Sequence, residues 1–178
     1  MPHRRDTNLA AVPYYQDIHE ALTQQGCAFC RLLTRSAERY LDGVLWEMVN
    51  DADLRSELNQ ARGYCREHGW FLARAGASLG VAILSRGVIK ALLDVAESTP
   101  VQPGSLPALE GLRRGLSSDF SSKSTTNLIA ALSPQIPCPV CTIVKAREQE
   151  LADTLVAHLG GHGSLADVYV GGDGLCLE

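Results

Sequence analysis

No stretch of this 178-residue chain approaches the ~18 apolar residues in a row that a membrane-spanning helix needs. The first twenty residues, with Arg4, Arg5, Asp6, Asp17 and Glu20 among them, lack the apolar core of a secretory signal. Basic excess is missing too: the net charge of −4 gives no broad positive field to hold a nucleic-acid backbone or an anionic lipid surface. No segment alternates convincingly as a β-strand, and no nucleophile–base pair, phosphate loop or carboxylate pair stands in a recognisable frame. These absences predict a cytoplasmic, non-enzymatic protein with neither membrane nor nucleic acid as partner. A protein partner or a second copy of the chain is the association they leave open.

What the chain does have is six cysteines in a strict arrangement. Thiols stay reduced in the cytosol, so closely spaced pairs there point to metal binding or redox chemistry before structural disulfides. Cys27 and Cys30 form a CxxC pair, and 34 residues intervene before Cys65, which opens a CxxH with His68. Cys138 and Cys141 form a second CxxC, and again 34 residues intervene before Cys176. An offset of 111 places superimposes all three cysteines, and also pairs Asp42 with Asp153, Leu54 with Leu165, Gly63 with Gly174 and Glu67 with Glu178 without a gap. This is an internal duplication. The fourth ligand of the second copy falls at position 179, one place beyond the last residue. Two continuations fit: a natural chain that runs on into a histidine, or a vector-encoded Leu-Glu ahead of a histidine tag.

Zinc takes four ligands in a tetrahedron, and a CxxC turn can aim both of its sulfurs at one ion while a second pair closes the cage. The sequence therefore predicts a structural zinc held by Cys27, Cys30, Cys65 and His68, and an incomplete copy at Cys138, Cys141 and Cys176. An iron–sulfur cluster on the last three is the weaker reading, because the first copy offers histidine in the fourth place. Buried reduced cysteines would account for single residues but poorly for a doubled CxxC with equal spacers. Redox cycling is the sharper rival, since a CxxC at a helix N-terminus has a lowered thiol pKa, yet no βαβ pattern surrounds either pair.

Periodicity predicts an all-α fold. A short helix is expected within 13–25, closed by Gly26, and a long amphipathic one over 28–49 through Leu33, Ala37, Tyr40, Leu41, Val44, Leu45 and Met48. Asp51 and Asp53 can cap a helix through Leu54 and Leu58 that Gly63 ends, another should start near Cys65, and a further stripe runs from Leu79 to Ala96. The second copy should run as a helix over 140–159, then a glycine-rich turn, then a short segment from Ser164. Prolines and glycine at 98–107 and a serine-rich stretch at 117–126 mark a linker. The organisation expected is a first helical repeat at 1–97, a linker at 98–126 and a second, apparently truncated repeat at 127–178.

Other residues carry blander readings. His158 and His162 stand four apart but flank two glycines, and are at best substitute ligands for the incomplete site. Arg31, Arg35 and Arg39 line one helical face that could meet phosphate or an acidic partner, with a solvated face as the default. Trp46, Trp70 and Phe71 are expected as core anchors.

The segments Gly26-Cys27-Ala28-Phe29-Cys30-Arg31-Leu32, Arg62-Gly63-Tyr64-Cys65-Arg66-Glu67-His68 and Pro137-Cys138-Pro139-Val140-Cys141 resemble an uncharacterised bacterial family of duplicated CxxC and CxxH proteins, a domain of unknown function. Gly174-Leu175-Cys176 resembles the start of that family's second CxxH. The resemblance implies a helical fold with two metal sites and no known activity.

Overall fold

Eight helices and no strand make up the described residues, 12–99, 123–160 and 165–176 of a computed structural model. Helix α1 (Tyr15–Leu22) ends before Gly26, whose φ of 85° turns the chain into the first cysteine pair. Cys27 is the N-cap of α2 (Ala28–Trp46), which presents Ala28, Leu32, Ala37, Leu41, Val44 and Leu45 as one buried stripe. Helix α3 (Ala52–Gln60) starts where Asp51 Oδ1 accepts the Leu54 amide at 2.8 Å, and it buries Leu54 and Leu58. It ends at Gly63, whose φ of 94° lets its own amide reach back to the Leu58 carbonyl at 2.8 Å. Cys65 caps the short α4 (Arg66–Trp70), followed by α5 (Ser78–Ser98), α6 (Lys123–Leu132), α7 (Pro139–His158) and α8 (Leu165–Gly171).

Helices on either side of residues 100–122 correspond in position along the chain. At the 111-residue offset α7 covers the span of α2, and α8 that of α3; Leu54 and its counterpart Leu165 are both buried. Gly63 and Gly174 both take the left-handed conformation, φ 94° and 74°, two residues ahead of a cysteine. A side chain there would be strained, which is why both copies keep glycine.

Helices α2 and α7 lie side by side and antiparallel. The start of α2, Ala28 and Leu32, packs with Leu151 and Leu155 near the end of α7, together with Tyr15, Ile18, Ala21, Leu22 and Leu165. Farther along α2, Ala37 and Leu41 pack with Cys138 and Val140 at the start of α7. The stretches 12–97 and 127–176 thus contribute to the same cores. A separate cluster joins Val44, Leu45, Leu54, Leu58, Ala77 and Leu84, seating α5 on α2 and α3. Gly80 permits this close approach, since a Cβ there would stand 2.9 Å from Leu45 Cδ2.

Two tryptophans expected in the core are outside it: Trp46 is 70% and Trp70 72% exposed. Each is the last residue of its helix, where the buried stripe has already turned away, and Trp46 instead lays its ring against Gly76. Phe71 is half-buried and packs near His68, with ring centroids 6.0 Å apart. The linker from residue 100 to 122 lies outside the described residues, and α6 begins within the serine-rich stretch. No helix among the described residues is long and apolar enough to cross a membrane.

Candidate metal centres

All seven ligand candidates assemble into two clusters, but not the two that lie together in sequence. Cys65 and His68 meet Cys138 and Cys141; Cys27 and Cys30 meet Cys176. The expected set of Cys27, Cys30, Cys65 and His68 is therefore replaced by an exchange, in which each CxxC is completed by the other copy's later cysteine. The physical reason is the antiparallel pair. Nineteen residues of α2 carry the chain roughly 28 Å from Cys27, so α3 and α4 bring Cys65 back beside the far end of α2. That is where α7 begins. The reverse holds for Cys176, which α7 and α8 deliver to the start of α2.

In the first cluster His68 Nδ1 lies 3.2 Å from Cys65 Sγ, 3.3 Å from Cys141 Sγ and 3.9 Å from Cys138 Sγ, and the Cys65 and Cys141 sulfurs are 3.7 Å apart. A tetrahedron with metal–sulfur bonds of about 2.3 Å has sulfur–sulfur edges of about 3.8 Å and slightly shorter sulfur–nitrogen edges. The four donors match that cage. Cys138 and His68 are buried, and Cys65 and Cys141 are half-buried. Burial, aided by the neighbouring thiols, pushes Cys141 up to about 12. A bound cation reverses this cost by stabilising the thiolates directly.

Two hydrogen bonds to backbone carbonyls align the halves of this cluster. Arg62, three residues before Cys65, donates from Nη2 to the Ala131 carbonyl at 2.7 Å, and the amide of Gln135, three before Cys138, donates to the Gln60 carbonyl at 2.9 Å. Sequence reasoning did not single out Arg62; its place directly before a left-handed glycine, with its own φ at 58°, is the only local signal.

In the second cluster Cys176 Sγ stands 3.1 Å from Cys30 Sγ and 3.5 Å from Cys27 Sγ, and the Cys176 amide donates to Cys27 Sγ at 3.4 Å. The Gly26 amide donates to Asp173 Oδ2 at 2.7 Å, the counterpart of the links around Arg62. Here Cys30 and Cys176 are exposed. Burial works against ionising Cys27, but hydrogen bonds from the Cys30 and Cys176 amides and thiols outweigh it and bring the thiol down to about 7. Hydrogen bonding with Cys176 and Cys27 pushes Cys30 up to about 12. Three sulfurs face one point, and the donor set suits a thiophilic ion with a further position for another ligand.

His158 belongs to neither cluster; it stands edge-on to Tyr15 with centroids 5.3 Å apart, and His162 is outside the described residues. Arg31 is structural: its guanidinium donates to the Ala21 carbonyl at 2.9 Å and to the Gln25 carbonyl, fastening the end of α1 to α2.

Residues 9–178 match the model of a family of unknown function, DUF6062. No curated protein and no solved structure matches the chain.

Proposed function

The chain belongs to DUF6062, a family of unknown function, and we propose that it is a zinc-stabilised, non-catalytic helical scaffold that presents its surface to a protein partner or to a second copy of itself, in a reducing, cytoplasmic setting. The observation that carries this reading is the exchange of ligands between the two copies. An ion at Cys65, His68, Cys138 and Cys141 ties the end of the first copy to the start of the second, and an ion at Cys27, Cys30 and Cys176 ties the two remaining ends. Metal at both sites clamps α2 against α7 at each end. Three thiolates and an imidazole favour zinc over the hard, oxygen-seeking divalent ions.

The surface offered is that of α5, where Leu79, Ile89 and Leu93 stand exposed; Ile89 and Trp70 border a cleft of about 440 Å³ lined also by Leu58, Tyr64, Leu72, Val81, Leu84 and Val88. The test is elemental analysis of the chain and four variants. In the exchanged arrangement Cys65→Ala and Cys141→Ala remove the same equivalent of zinc, so the double variant loses no more than either single, while Cys30→Ala removes a different one. If Cys65→Ala and Cys30→Ala instead deplete a common ion, the exchange is wrong. Protein that purifies metal-free and fully folded would overturn the scaffold reading.

One observation favours a second reading, thiol-based redox sensing at the exposed cluster. The Cys30 and Cys176 sulfurs at 3.1 Å need little movement to bond. Two thiols and one hydrogen peroxide give a disulfide and two waters, and the ion leaves as its ligands are consumed. Mild peroxide treatment followed by mass spectrometry decides: a reducible Cys30–Cys176 bond with release of one zinc supports sensing, and intact thiols after exposure exclude it.

A further inference from the structure

The arginine face of α2 has a use that the metal centres do not draw on. Leu32, Arg35, Ser36, Arg39 and Tyr40 recur at helical spacing and form one wall of a cleft of about 510 Å³. Ile143, Arg147 and Leu151, four residues apart on α7, form the opposite wall, and Tyr14 and Asp17 close it from the α1 side. Three guanidiniums and one carboxylate line the cleft, and with Glu150 paired to Arg147 the balance is still positive in a chain that is negative overall. The volume is within the range of small-molecule sites.

Solvated surface arginines would not need the arrangement around them. Arg147 is fixed by an ion pair with Glu150 at 3.4 Å and by stacking 4.2 Å above the Tyr14 ring, while its Nε is out of contact with solvent and has no hydrogen-bond partner. Tyr14 holds that ring in place from a left-handed backbone, φ 60° and ψ 0°, a conformation rare for an L side chain and concentrated at binding sites. Arg35 and Arg39 are exposed and make no ion pair or hydrogen bond with any other described residue. Two preorganised features thus flank two unused cations.

We infer that this cleft binds a small phosphorylated organic molecule, with Arg35, Arg39 and Arg147 around the phosphate and the Tyr14 and Tyr40 rings, Leu32 and Ile143 against a planar or apolar body. Planar guanidiniums give phosphate paired, charge-assisted hydrogen bonds that an ammonium cannot match. The apolar floor is the reason for assigning an organic ester ahead of the inorganic anion. The site is independent of the metal centres, since none of its lining residues is a ligand of either cluster.

Calorimetric titration of the full chain with phenyl phosphate, and separately with inorganic phosphate, tests this. One-to-one binding of phenyl phosphate is expected, weakened about tenfold or more in Arg35→Gln and in Arg39→Gln, each worth ~1.4 kcal/mol. Both side chains are exposed, so helicity by circular dichroism should stay unchanged. Arg86→Gln, which removes a charge on α5 away from the cleft, should bind as the parent does. The inference is overturned by no saturable heat at about 10 mM ligand, or by an equal loss in Arg86→Gln. It is overturned in its ligand class if inorganic phosphate binds as tightly as the ester.

Discussion

The two clusters use the same motif and differ in what surrounds it. Cys65, His68, Cys138 and Cys141 sit against Ala37, Leu41, Val140 and Phe71, with two of their four donors buried. Cys27, Cys30 and Cys176 stand at the other end of the α2–α7 pair with two sulfurs exposed. The same residue pattern thus stands in unequal environments, set by packing. The enclosed centre is suited to permanence and the open one to exchange, because solvent and reactants reach its sulfurs directly.

The strongest way to break this contrast is His68→Ala. Apparent binding energies of structural zinc in small domains are on the order of 10 kcal/mol, so losing one buried ligand should cost on the order of 5 kcal/mol. At ~2–4 °C per kcal/mol for a chain of this size, that lowers the melting temperature by more than about 10 °C. A drop as small as that of Cys30→Ala would mean that burial does not separate the centres. Next is Gly172→Ala. A Cβ there would stand 2.8 Å from the Leu22 carbonyl oxygen and 3.2 Å from that of Val168, and backbone cannot easily give way. A loss of about 2 kcal/mol is expected, with zinc released from the Cys176 cluster alone. Release from both centres would show that they form as one unit.

Cys30→Ala should remove one zinc and cost only about 1–2 kcal/mol, since the exposed cluster lies beside a core that α1, α2, α7 and α8 already fill. Asp51→Ala removes the cap of α3, which leads to Cys65, and should cost about 1 kcal/mol without loss of either ion. Smallest in stability but sharpest in chemistry is alkylation of metal-free protein followed over pH. The thiolate reacts, so a lowered pKa moves reaction to lower pH: Cys27 modification should rise through about pH 7, while Cys141 stays slow until far more alkaline solution. Equal profiles would remove the electrostatic half of the comparison.

Most helices were legible in the sequence, and which cysteines stand together in space was not. Periodicity placed α2 and α7 to within a few residues at their ends, because each buries one face and begins at a cysteine turn. Equal 34-residue spacers, which suggest a duplication, are also what hid the exchange: a CxxC followed by a cysteine at fixed distance is compatible with closure by its own later cysteine or by the other one. The choice is made by Leu151 and Leu155 packing on Ala28 and Leu32, a long-range antiparallel match that carries no local signature. Trp46 and Trp70 misled for a related reason. Their size argues for burial, but their positions at helix ends put them past the buried stripe.

The exchange also sets a schedule. Cys27 is separated from Cys176 by 149 residues, so at translation rates of about 5–20 residues per second the first CxxC emerges roughly 7–30 s before its completing thiol exists. During that interval it is an open, solvent-facing dithiol, free to hold an ion loosely or to be oxidised. The pair made first is therefore the one closed last, and a newborn chain carries two open thiols there until α8 docks.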